Sequence, residues 1–136
     1  MRRVGPLLIL VLLLAACGGG TVDAKAFEKQ AESIQSFAAE GALLARDIAD
    51  GKSLSPYVRV HAGELAKEAD TLAQTLERAK AIPSVRPKLP RAARLARRVA
   101  AELEKLEAEP GDRGGARRVQ TALEDAADSA EELASS

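Results

Sequence analysis

Seven apolar residues between positions 58 and 79 follow a strict 4-3-4-3-4-3 spacing: Val58, Ala62, Leu65, Ala69, Leu72, Leu76 and Ala79. That rhythm keeps one stripe on one side of a helix, whereas a half-buried strand would alternate every second residue. A stripe of this kind has to be covered by another helix, so it constrains the whole chain. The pattern recurs twice downstream. Ala92, Ala96, Val99, Leu103 and Leu106 form a second seam that Leu95 broadens, and Ala116, Val119, Leu123, Ala126, Ala130 and Leu133 form a third. Upstream, Phe27, Ile34, Gly41 and Ile48 recur every seven residues with Ala31, Ala38 and Ala45 beside them, and Phe37 and Leu44 adjoin. Gly41 lowers local helix propensity, which is explained if a neighbouring helix approaches closely there.

Breakers divide these seams into four helices, expected at about 22–50, 56–81, 88–109 and 113–134. Thr21 is the expected N-cap of the first, Asp23 suits its positive end, and Gly51 is its expected C′ residue. Ser55-Pro56 reads as a start signal, with an N-cap hydroxyl ahead of proline at the first position. Pro83, Pro87 and Pro90 make a stiff turn before the third helix, and Pro110-Gly111 ends it. Four amphipathic helices with short connections predict an all-α fold, an up-down-up-down four-helix bundle over residues 22–136. The runner-up architecture is a longer helical hairpin that completes its core by dimerising.

Charge placement predicts one pairing. Residues 86–98 hold Arg86, Lys88, Arg91, Arg94, Arg97 and Arg98 with no acidic side chain, while Glu102, Glu104, Glu107 and Glu109 follow in the same helix. The fourth helix repeats the order, with Arg113, Arg117 and Arg118 ahead of Glu124, Asp125, Asp128, Glu131 and Glu132. Basic starts and acidic ends oppose the helix dipole. Laid antiparallel, the two helices bring opposite charges together, so the third and fourth are expected to pair partly by charge.

The first sixteen residues differ in kind from the rest. Arg2 and Arg3 precede an uncharged apolar run from Leu7 to Leu14, followed by small residues and the chain's one cysteine, Cys17. This is the organisation of an export signal. The run is too short to cross a bilayer, since a spanning helix needs roughly 20 apolar residues. Leu14-Ala15-Ala16-Cys17 closely resembles the lipobox of bacterial lipoproteins. The resemblance covers about the first twenty residues and implies cleavage between Ala16 and Cys17, a diacylglycerol thioether on Cys17 and an acylated new amino terminus. It implies an anchored protein of the cell envelope facing away from the cytoplasm. Gly18 favours outer-membrane sorting in a two-membrane bacterium; in a single-membrane one, the anchor is the outer leaflet of the plasma membrane. Gly18-Gly19-Gly20 is a tether with a reach on the order of 10 Å, which would hold the fold close to its membrane.

Loss of Arg2 and Arg3 leaves 18 of the 20 basic side chains against all 20 acidic ones. No global field then points to a polyanion, and export itself excludes nucleic acid as a partner. With Cys17 lipidated, no thiol remains for a disulfide or a thiolate metal site, so packing alone must hold the fold.

Assembled chemistry is sparse. His61 is the one histidine, with Glu64 and Glu68 at i+3 and i+7 on roughly the same side of the second helix. Di-iron bundles resemble the reverse order, Glu-x-x-His, supplied twice. One histidine in the opposite order falls short, and a surface histidine is the plainer account. Haem is poorly served, because there is no C-x-x-C-H and no methionine after Met1. Ser33, Ser36, Ser53, Ser55, Ser84 and Ser129 fall on polar faces or in turns, where one histidine cannot serve them all. No enzyme and no cofactor are expected. The expectation is a non-catalytic interaction or structural protein, held to the bilayer by acylated Cys17 and offering a helical face to an envelope protein. The alternative is a ligand- or metal-binding module centred on His61, Glu64 and Glu68. Contact of Arg86, Lys88 and Arg91 with an anionic surface is a further expectation, weighed against internal pairing with the acidic end of the fourth helix.

Overall fold

The computed structural model describes residues 20–136. Leu14 to Cys17, the lipidation and cleavage positions, lie outside the described residues. Within them the chain forms four α-helices: α1 (Ala24–Ala49), α2 (Ser55–Arg78), α3 (Leu89–Ala108) and α4 (Arg113–Ser135), with a 3₁₀ turn at Arg86–Lys88 leading into α3. They pack as an all-α four-helix bundle. No helix among the described residues is long and apolar enough to cross a membrane.

Local chemistry sets the helix ends. Asp23, not Thr21, caps α1: its backbone is extended, and its Oδ1 accepts from the Ala26 N–H at 2.8 Å. A carboxylate is also better matched than a hydroxyl to the positive helix end. At the other end of α1, Gly51 takes a φ of 71°, the left-handed conformation that suits glycine. Its N–H donates to Ile48 O at 3.0 Å and the Lys52 N–H to Asp47 O at 2.8 Å, so two carbonyls of the last turn are satisfied. Ser55 is not the N-cap of α2. Leu54 holds that place without a side-chain hydrogen bond, and Pro56 sits in the first turn. Asp112 caps α4, its Oδ1 accepting from the Gly115 N–H at 2.9 Å.

Two further departures share one cause. Val22 lies outside α1, and α2 stops at Arg78 instead of near Ala81. The Val22 N–H donates to Lys80 O at 2.8 Å and the Ile82 N–H to Val22 O at 3.1 Å, an isolated parallel bridge. Backbone groups that neither helix could satisfy thus pair with each other. The chain entering α1 is strapped to the connection between α2 and α3.

The interior is apolar. Among the described residues no polar or charged side chain is buried. Helices α1 and α4 form one intimately packed pair, and α2 and α3 form another; contact between α3 and α4 is much less extensive. Small residues explain the choice. Ala31, Ala38, Ala42, Ala45 and Ala49 are buried on α1, and Ala116, Ala126 and Ala130 on α4. Ala62, Ala66, Ala69 and Ala73 are buried on α2, and Ala92, Ala93, Ala96 and Ala100 on α3. Such stripes let backbones approach closely and multiply dispersion contacts. Gly41 of α1 faces the remaining helices: a Cβ there would fall 2.6 Å from Leu103 Cδ2 of α3 and 2.8 Å from Leu123 Cδ1 of α4.

The third and fourth helices do pack together, as expected, but along a smaller seam and not by charge selection, a correction to the expected basis of the pairing. Ion pairs link α3 to α2 through Arg97 with Asp70 and Glu77, and α4 to the residue capping α1 through Arg117 with Asp50 at 4.0 Å, while His61 of α2 contacts Glu40 of α1. Among the described residues none joins α3 to α4. Exposed ion pairs contribute about 0–1 kcal/mol each and are screened, so they cannot outweigh a continuous buried seam.

Candidate functional site

The bundle has two unlike ends. One gathers the start of α1, the α2–α3 connection and the end of α4. The strap through Val22 closes it, and Val85, 1% exposed, plugs it from the connection. Lys88 ties three elements together there: its Nζ donates to Ser136 O at 2.7 Å and lies 5.8 Å from the centre of the Phe27 ring. Arg86 and Arg91 are exposed. The Arg86 Nη2 donates to Ala81 O at 3.4 Å, which stiffens the turn without neutralising the charge. Of the six basic residues at 86–98, Arg97 alone pairs with side-chain carboxylates among the described residues. Internal pairing with the end of α4, the role expected of this block, is realised by Lys88 through Ser136 O; among the described residues no acidic side chain of α4 pairs with the other five.

The other end carries the α1–α2 and α3–α4 connections. Here Leu54, Tyr57 and Val60 are 76%, 58% and 61% exposed, although all three are large and apolar. They recur every three residues through the capping position and first turns of α2, roughly on one side of it. Sequence reasoning passed over this cluster because the buried seam through Val58, Ala62 and Leu65 occupies the same turns. The separate i, i+3, i+6 series was the available signal.

His61 borders this cluster. Its ring stacks on Tyr57 with centroids 5.5 Å apart, and its Nε2 lies 3.0 Å from Glu40 Oε1 of α1. The carboxylate brought to His61 is thus Glu40, not Glu64 or Glu68. Glu64 and Glu68 line a shallow groove farther along, with Phe37, Lys67 and Leu72. Among the described residues no group of three or more histidine, cysteine, aspartate or glutamate side chains is placed to hold a metal ion.

Two of the six serines considered are engaged locally. Ser33 and Ser129 each donate to the carbonyl four residues back in their own helix, Lys29 O and Asp125 O, both at 3.0 Å. Neither hydroxyl is directed at a base. The looser contact between α3 and α4 leaves a groove of about 470 Å³ beside their connection. Leu106 and Val119 line it together with Lys105, Glu109 and Arg118. Its charges are mixed in sign, so it presents no field favouring an ion of either charge.

Arg97 and Glu77 shift each other's ionisation, the guanidinium upward and the carboxyl downward. The hydrogen bonds from Arg97 hold the Glu77 carboxyl below the usual carboxylate range, partly opposed by desolvation. Both side chains are exposed and hold α3 to α2, which marks a structural contact on the outside of a helix pair. No protein-family model, curated protein or solved structure matches the chain.

Proposed function

We propose that this protein is a small lipid-anchored envelope protein without catalytic activity, which holds a helical bundle at a membrane and offers its far end to a protein partner. The observation that carries the reading is Leu14-Ala15-Ala16-Cys17 with only Gly18-Gly19-Gly20 and Thr21 before the Val22 strap. An anchor at Cys17 puts the strapped end against the bilayer and turns Leu54, Tyr57 and Val60 away from it. Exposed apolar side chains on a rigid helix suit recognition by a partner, where aromatic residues are enriched. Among the described residues no polar or charged residue is buried as a whole, and Gln30 Oε1 is the one buried side-chain polar atom without a partner; an interior of this kind supports a scaffold over a chemical site.

The anchor is tested by metabolic labelling with an alkyne fatty acid, which should mark the wild type and not Cys17→Ala; equal labelling of both sinks it. The interaction is tested by a photo-crosslinking amino acid in the native cell. Placed at Tyr57 it should capture a discrete partner that the same group at Thr75 does not. A ligand-binding module at His61 would behave differently. At 100 times its dissociation constant, bound Zn²⁺, Fe²⁺ or haem would add about 2.7 kcal/mol and raise the melting midpoint, and His61→Ala would abolish the shift.

A further inference from the structure

We infer that the turn from Arg78 to Arg91 is a headgroup-binding face that docks the bundle end-on against anionic lipid. The inference rests on the proposed anchor at Cys17 and adds what the protein does once anchored.

Geometry comes first. Five residue steps separate Cys17 from Val22, and a fully extended chain gains at most about 3.6 Å per residue, so the Val22 backbone lies within about 18 Å of the Cys17 backbone, and within about 21 Å of the lipidated sulfur. The Val22 N–H is bonded to Lys80 O, and Val22 O accepts from the Ile82 N–H. The bridge transfers that limit from the entering chain to the α2–α3 connection. Without it, the same tether would let the bundle present any side to the bilayer. With it, Lys80 and its neighbours are the part of the fold held within a short tether of the surface.

Charge comes second. Residues 78–91 cross this end of the bundle with Arg78, Lys80, Arg86, Lys88 and Arg91 and no acidic side chain. Arg78, Lys80, Arg86 and Arg91 are exposed. None of the five pairs with a side-chain carboxylate among the described residues. The opposing carboxylates at this end are Glu77 of α2, which lies beside Arg78 and is already bound by Arg97; Asp23 and Glu28 at the start of α1; and Glu131 and Glu132 near the end of α4. Asp23 is committed to capping α1. The remaining three moderate the field but do not occupy the turn. A cluster of four or more basic residues beside a membrane anchor is attracted to anionic lipid by about 1 kcal/mol for each residue near the surface, a pull confined to a Debye length of about 8 Å. The strap holds the turn where such a short-range force can act.

Lipid chains alone would anchor the protein equally to any bilayer, so dependence on headgroup charge separates the two ideas. The mature lipidated protein is reconstituted into vesicles of phosphatidylcholine, or of phosphatidylcholine with phosphatidylglycerol. It is then labelled with a membrane-impermeant amine reagent and read by mass spectrometry. Labelling of Lys80 should fall about fivefold in the anionic vesicles and recover in high salt, while Lys52 at the far end stays unchanged in both. Arg86→Glu with Arg91→Glu should remove the difference while leaving the melting midpoint intact. Equal Lys80 labelling in both vesicle types, with the protein floating alongside its lipid, overturns the docked face and leaves the anchor standing. A mature protein that does not float with vesicles overturns both.

Discussion

The Arg97 guanidinium meets the Glu77 carboxylate side-on, with Nε donating to Oε1 at 2.6 Å and Nη2 to Oε2 at 2.8 Å. Its third nitrogen, Nη1, reaches Asp70 Oδ1 at 2.8 Å, so one arginine of α3 spans two turns of α2. Paired hydrogen bonds of this geometry need the planar fork of arginine, which lysine cannot supply.

The pair should respond to acid in a defined direction. Glu77 has its pKa lowered from the ordinary 4.5. Its contribution to stability is therefore present above that value and is lost as pH falls through the lowered one. Arg97→Gln should return Glu77 to the ordinary range, as read by carboxyl NMR titration, and flatten the fall in melting midpoint across that acidic window. An unchanged Glu77 titration would show that the guanidinium does not set it.

The same contact distinguishes two partners for α3. Arg97→Glu should destabilise the bundle, and Glu77→Arg in the same chain should recover part of the loss. Reversing Glu124, Asp125 and Asp128 on α4 to lysine should recover none of it. Recovery by the α4 reversal instead would restore the charge-selected pairing of α3 with α4. The effects should shrink in high salt, because all the groups are exposed.

Gly41 should resist enlargement although alanine is the better helix former. Alanine gains about 1 kcal/mol of propensity over glycine. Its methyl would press on Leu103 and Leu123, which are both fully buried and have little room to move. Overpacking costs about 1–3 kcal/mol, so Gly41→Ala should be net destabilising by about 1 kcal/mol in denaturant unfolding. The penalty should shrink in a Leu103→Ala background, where the methyl has a cavity to enter and only Leu123 still opposes it. An equal penalty in both backgrounds would place its cause elsewhere.

Gly51→Ala should also destabilise, for a backbone reason. At a φ of 71° the methyl group is strained, and it would meet the Arg113 guanidinium. A left-handed non-glycine residue costs about 1–2 kcal/mol. Gly51→Asn, which tolerates that conformation better, should lose less; the order of the two midpoints is the test.

The strap is open to direct measurement. Val22→Pro removes the N–H that donates to Lys80 O and leaves that carbonyl without its partner. The expected loss is about 1 kcal/mol, with faster hydrogen exchange at the Ile82 amide, whose own acceptor is Val22 O. Unchanged protection of Ile82 would show that the bridge does not hold in solution.

The heptad-like spacing from Val58 to Ala79, and its repeats downstream, determined by themselves that the chain makes helices that must cover one another. Pro83, Pro87, Pro90, Pro110 and Gly51 determined where those helices break, because their backbone restrictions act without reference to anything distant. Capping was legible to within a residue or two. Thr21 and Asp23 are both competent caps, and the choice between them depends on Val22 finding Lys80 and Ile82 far along the chain. Which helices pair most closely was likewise a tertiary outcome. Charge order favoured α3 with α4, but the alanine stripes of α1 with α4 and α2 with α3 bring backbones close enough for buried contact to prevail over screened charge. The sites divide in the same way. The proposed lipidation of Cys17 rests on a short linear motif alone, whereas the pairing of His61 with Glu40 and the exposure of Leu54, Tyr57 and Val60 depend on how α1 and α2 are turned toward each other. That rotation is set by packing across the whole bundle, which no local pattern encodes.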